Sequence, residues 1–174
     1  MSGHNKWSKI KHKKAATDIQ KSKLFSKLAK LIKVEARLAH GDTAMPGLRA
    51  AIEKAREANM PKENIDRAIA TAGGGSADEK VLYEAYGPGG CAILIEGLTD
   101  NKNRTSPEIK HIFSKHGFAL SNPGSVTWAF RKTEEGWEPQ TTVILSSEDS
   151  EKLEALLDAI DYHDDVQELY TNAS

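Results

Sequence analysis

Within the first fourteen residues, Lys6, Lys9, Lys11, Lys13 and Lys14 surround Trp7, Ile10 and His12, with no acidic residue among them. Closely spaced ammonium groups displace counterions from a phosphate backbone, and an indole set among them can stack on a base. Trp7 and Ile10 could equally dock this arm on a neighbouring domain, and the two roles are compatible. Lys23, Lys27 and Lys30 carry the positive charge onward at i, i+4 and i+7, with Arg37 at i+14 and Lys21 and Lys33 to either side. The candidate nucleic-acid-binding residues are therefore Lys6, Trp7, Lys9, Lys11, His12, Lys13, Lys14, Lys23, Lys27 and Lys30. A weaker second contact is expected from Lys102 and Arg104, in the segment Thr99-Asp100-Asn101-Lys102-Asn103-Arg104-Thr105. Two cations at a helix start lie beside free N–H groups and the positive end of the helix dipole, which suits a phosphate. The other reading of that segment is local: Asp100, Asn101 and Asn103 make turns and caps, and the cations face water.

Other chemistry is poorly served. The six histidines, at 4, 12, 40, 111, 116 and 163, show no HxxxH pair, and no second cysteine joins Cys91. Zinc would need such a convergence. His116, near a helix end, reads as a capping or packing residue. Cys91 falls in an apolar run and reads as a small hydrophobe rather than a nucleophile. Gly73-Gly74-Gly75-Ser76 lacks the Lys-Ser/Thr of a phosphate loop, and Gly87-Pro88-Gly89-Gly90 joins two strands rather than opening a helix. No catalytic residue, metal site, cofactor or small-molecule substrate is expected, and the chain reads as a non-enzyme.

The elements that must position the cations follow from charge and periodicity. The chain of 174 residues has a net charge of −1, yet the signs are segregated. Residues 1–75 hold 16 Lys and Arg against 7 Asp and Glu, whereas residues 76–174 hold 8 against 18. One end points at a polyanion while the other repels it. Hydrophobic residues at 39%, charged residues at 28% and no long apolar run describe a soluble protein with no membrane partner. The basic opening resembles a presequence in lacking acids, but carries Lys rather than Arg. With a single cysteine and no apolar signal core, a cytoplasmic location is expected.

Leu24, Leu28, Leu31 and Leu38, with Phe25, Ile32, Ala36 and Ala39, repeat at helical spacing and predict a helix over 18–40 that ends at Gly41. A second helix follows Pro46, with Leu48, Ala51, Ile52 and Ala55 inward. A third opens at Pro61 and stops at the glycines of 73–75. Beyond them the pattern changes to strands at 81–86 and 91–98, the second (CAILIEGL) central. A helix at 105–116, strands at 126–131 and 141–145, an acidic helix from Ser146 or Ser147, and a strand at 166–170 complete the order. The fold class is α+β: an N-terminal three-helix bundle, then a ferredoxin-like antiparallel sheet domain with an additional N-terminal strand. The domains are 1–75, a basic helical nucleic-acid-binding domain with a flexible arm, and 76–174, acidic and α+β.

GHNKWSKIKHKKAATDIQKSKLFSKL at 3–28 resembles the opening of the YebC family, and LRAAIEKAREANMPKENIDRAI at 48–69, YEAYGPGGCAILIEGLTDNKNRT at 83–105 and DDVQELYTN at 164–172 extend the resemblance over nearly the whole chain. The resemblance implies a helical first domain and mixed α+β domains around a cleft. It also implies a regulator without enzymatic activity, acting on DNA in transcription or at the ribosome where proline-rich sequences stall. Members carry a third domain inserted between the strands near Arg131 and Thr141; here only KTEEGWEPQ, 132–140, joins them. The functional expectation is an RNA- or ribosome-associated translation factor that relieves stalling. A DNA-binding transcriptional regulator is the alternative, and an adaptor whose acidic half recruits a protein partner is the third reading. A lysine-dominated surface grips backbones and favours RNA, although Arg49, Lys54, Arg56 and Asn59 could serve as base readers.

Overall fold

The structure is a computed structural model that describes residues 17–75, 77–134 and 136–174. It divides into two compact units, one running to Glu79 and the other from Lys80 to Ser174.

The first unit holds three helices: α1 (Asp18–Leu38), α2 (Pro46–Glu57) and α3 (Lys62–Ala70). Thr17 begins α1 with a reciprocal cap: its hydroxyl accepts the Gln20 N–H at 3.3 Å, and the Gln20 side chain accepts the Thr17 N–H at 3.3 Å. The helix ends through His40 (φ 50°) and Gly41 (φ 81°), two left-handed residues in succession, and the Gly41 N–H closes on the Ala36 carbonyl. Pro46 occupies the first turn of α2, where its missing N–H leaves nothing unpaired. Pro61, expected inside α3, stands one residue before it as the N-cap.

Leu28, Ile32, Ala36 and Ala39 meet Leu48, Ala51, Ile52 and Ala55, with Met60, Ile65, Ala68 and Ala72 from the third helix and its flanks. Half of these residues are alanine, so the helices close over short side chains around the larger Ile32 and Leu48, both fully buried. Leu38, expected inward, is 63% exposed. It lies two positions past Ala36, about 200° around a helix, and so turns away from the core. Arg37 Nε donates to the Ala72 carbonyl at 3.0 Å, tying α1 to the end of the third helix.

The second unit is built on a three-stranded sheet of order β1 (Glu79–Tyr86), β2 (Ala92–Thr99) and β5 (Val166–Thr171). β2 is central, as its apolar run requires, and pairs antiparallel with β5 through Ile93↔Thr171, Leu94↔Tyr170 and Ile95↔Leu169. The register shifts between Glu96 and Gly97. There a Cβ on Gly97 would lie 2.8 Å from the Asp165 carbonyl oxygen and 3.0 Å from Val81 Cγ2, so only glycine allows the strands to approach.

Both faces of the sheet are covered. Helices α4 (Lys102–Lys115) and α5 (Ser147–Asp161) bring Ile109, Phe113, Leu153, Leu156, Leu157 and Ile160 onto Ile93, Ile95 and Leu169. Cys91 belongs to this core, and burial pushes its thiol pKa up, which favours the inert thiol. Against the opposite face, Ala92, Leu94 and Tyr170 meet Val126, Ala129, Phe130 and the hairpin of β3 (Phe130–Thr133) and β4 (Gly136–Pro139). Trp137 packs against this second cluster.

The mixed α+β class with antiparallel sheets stands, but two expected strands do not form as drawn. The segment 126–131 begins as a 3-10 turn, Thr127–Ala129, and becomes strand only at Phe130. The Glu84 carboxylate accepts the N–H groups of Gly124, Val126 and Thr127 at 2.7, 2.8 and 3.1 Å, which removes them from any ladder. β3 then pairs with β4 in a sheet of its own, so the expected connection 132–140 is largely hairpin. The segment 141–145 contributes a single parallel bridge, Val143↔Ala173, before Ser146 caps α5. No helix among the described residues is long and apolar enough to cross a membrane.

Candidate nucleic-acid interface

Lys6, Trp7, Lys9, Lys11, His12, Lys13 and Lys14 lie outside the described residues. The rest of the expected surface starts on α1, where position along the helix decides what each lysine meets. Lys27 is 7% exposed, next to Leu28 of the core. Burying an ammonium is costly unless it is partnered, and Lys23, Lys27 and Lys30 all have interactions within the protein. Lys30 reaches Asp78 at 3.4 Å. The stripe expected from i, i+4, i+7 spacing is therefore not a uniformly solvated face: Lys27 is withdrawn from solvent, and Lys23 and Lys30 are half-buried.

Exposed cations on this unit include Lys21 on α1, Arg49 and Arg56 on α2, and Lys62 and Arg67 on α3. Arg49 and Arg56 are seven residues apart, two helical turns, and so share a face of α2. Lys62 and Arg67 are not among the candidates expected above; they occupy exposed positions of α3 away from the buried Ile65 and Ala68.

Around the start of α4 the local reading of the sequence describes the geometry. The helix begins at Lys102 rather than Thr105, so Lys102 and Arg104 lie in its first turn. Asn101 is the N-cap, and its side-chain oxygen accepts the N–H groups of Asn103 at 3.0 Å and Arg104 at 3.3 Å. Arg104 is surrounded by carboxylates: its guanidinium lies 2.8 Å from Asp165 and 2.9 Å from Asp100, and its Nε is 3.9 Å from Glu108. The hydrogen bond with Asp165 is the main reason its pKa is raised above the ordinary value.

Asp165, itself buried, also accepts the Thr105 hydroxyl at 2.6 Å, and Thr105 lies 2.7 Å from the Thr99 hydroxyl. Its backbone N–H donates to His163 Nδ1 at 3.1 Å. That bond makes Nδ1 the acceptor, so Nε2 carries the proton toward Glu108 at 2.8 Å. Glu108, His163 and Asp165 bring ligand-type atoms within 4.8 Å of one another. The guanidinium of Arg104 already supplies positive charge to that group. The arrangement ties the end of β2, the start of α4 and the start of β5 together.

These features define a class: a basic, small-cored helical bundle joined in one chain to an acidic α+β unit whose polar side chains fasten its own loops. The chain belongs to the TACO1/YebC family. The family's N-terminal domain matches residues 5–75, and its second and third domain match residues 78–134 and 131–173.

A "Probable transcriptional regulatory protein" of Dictyoglomus turgidum is 48% identical over 184 residues, covering 99% of this chain and 71% of that protein. One of the same description from Carboxydothermus hydrogenoformans is 39% identical over 239 residues, covering 99% and 98%. Among solved structures, the conserved hypothetical protein Aq1575 of Aquifex aeolicus is similar with a TM-score of 0.81 and 32% identity, over 90% of this chain and 91% of that one. The two pieces matched to the second and third domain meet at residues 131–134, in β3 and the turn after it. An alignment of 239 positions against 174 residues leaves at least 65 positions of the Carboxydothermus protein without a counterpart here. The shortfall expected between Arg131 and Thr141 thus coincides with the β3–β4 hairpin.

Proposed function

We infer that this chain is a non-enzymatic, nucleic-acid-binding regulator of gene expression in the cytoplasm, associated with RNA and the ribosome and relieving stalled translation. The observation that carries the reading is the segregation of charge, 16 cations against 7 acids in residues 1–75 and 8 against 18 beyond. Such a distribution directs one end of the molecule to a polyanion. Of the 16 cations in the basic half, 12 are lysine, which favours gripping phosphates over reading base edges. The ribosomal part of the reading comes from the family resemblance.

A second reading, a DNA-binding transcriptional regulator, is favoured by the description of the Dictyoglomus and Carboxydothermus relatives. It would use Arg49 and Arg56 on the exposed face of α2. Sedimentation of the tagged protein from lysate through a sucrose gradient, at low and moderate salt and with or without RNase, separates the two. Migration with ribosomal particles that is lost on RNase treatment supports the first reading. Migration at the top of the gradient in every condition replaces it with the second.

A further inference from the structure

The acidic unit presents two large aromatic rings to solvent, side by side. Trp128 is 61% exposed and Tyr86 is 39% exposed. The Trp128 Nε1–H donates to the Ser125 carbonyl at 2.9 Å and lies 3.3 Å from the Tyr86 hydroxyl, which itself donates to the same carbonyl at 2.8 Å. Both polar edges therefore converge on one backbone oxygen, and what the pair offers solvent is ring surface. This surface does not fray: Val126 and Ala129, on either side of Trp128 in sequence, are fully buried. Beneath them the buried carboxylate of Glu84 holds the N–H groups of Gly124, Val126 and Thr127. The Ser121 N–H also bonds the Glu84 carbonyl. β1 thus fixes the whole approach to Trp128.

We propose that Trp128 and Tyr86 form a stacking platform for an unpaired nucleobase. The proposal rests on the nucleic-acid reading above and adds to it that the acidic half senses unpaired strands. A ligand on these rings is recognised through its own flat π surface, because the indole N–H and the phenol are already engaged. Arg131 and Lys132 are exposed, held by Glu138 at 2.7 Å and Glu96 at 2.6 Å. Exposed pairs of this kind are weak, and both cations stay in contact with solvent.

The test uses the full chain with three probes: a short single-stranded RNA, a duplex of equal length, and a strand with the same phosphates but abasic sites. Trp128→Ala is expected to weaken binding to the single strand about tenfold and to leave duplex and abasic binding unchanged, while Trp128→Phe keeps most of the affinity. In a Trp7→Phe, Trp137→Phe background, emission from Trp128 should be quenched by the strand with bases and not by the abasic strand. Equal binding of the single strand by parent and Trp128→Ala overturns the platform alone, as does equal quenching by both strands. A parent chain that binds none of the three probes overturns the nucleic-acid reading and the platform with it.

Discussion

The two units handle charge in opposite ways. In the helical unit, helix ends are closed by local means, a Thr17–Gln20 cap and a left-handed His40-Gly41 exit, and the core is filled largely by alanines. Lys21, Arg49, Arg56, Lys62 and Arg67 face solvent. In the α+β unit, side chains distant in sequence hold the turns: Glu84 fastens 124–127, and Asp165 fastens Arg104 and Thr105. Arg104 there lies against Asp100 and the buried Asp165. A count of charged residues therefore overstates what the second unit can offer a phosphate. The number of cations matters less than whether the fold has already assigned them.

That contrast can be broken from either side. The largest effect is expected from Leu48→Ala, which removes a fully buried side chain where the surrounding alanines cannot fill the gap. It should destabilise the helical unit by about 2–5 kcal/mol. Urea unfolding followed by far-UV circular dichroism should show an early helical transition, with nucleic-acid binding lost over the same range. A single transition at the parent midpoint would contradict the small-core description.

Next in size is the replacement of Lys11, Lys13 and Lys14 by Glu, which should weaken binding to all sequences alike. The log–log salt slope should flatten by about 0.9 per lost contact on duplex DNA, or about 0.7 on single strands. An unchanged slope would exclude the arm from the interface.

The smallest effect is expected from Glu84→Ala, which leaves three loop N–H groups without their carboxylate. Stability should fall by about 1–3 kcal/mol, and amide exchange should quicken at Gly124, Val126 and Thr127. If those amides stay protected in the variant, the loop is held by something other than Glu84.

Where the sequence could be read and where it could not follows the same division. The three helices and the acidic helix 147–161 have core residues at a regular local period, and the central strand 92–99 is a continuous apolar run, both of which short windows reveal. An alternating strand over 126–131 would put Trp128 on the same face as the buried Val126 and Phe130; instead it faces solvent, because a carboxylate some 40 residues upstream takes the backbone of that segment. Arg104 looked available beside a helix start, and Asp165, 61 positions away, claims it. Lys27 looked like part of a solvated stripe, but helical spacing alone does not say how deep a flank sits. Local pattern shows which residues share a face; partners from elsewhere decide what that face meets.

The β3–β4 hairpin has a consequence for how the chain tolerates change. Thr133 and Gly136 are paired at its turn end, so the backbone enters and leaves that turn about 5 Å apart. A folded module whose own termini lie close together could be spliced into that turn without pulling the strands apart. The sheet beneath need not register whether the port is closed by a turn or carries a passenger. The same port offers a place to graft a reporter, with the ladder from Phe130↔Pro139 to Lys132↔Trp137 left in its present register.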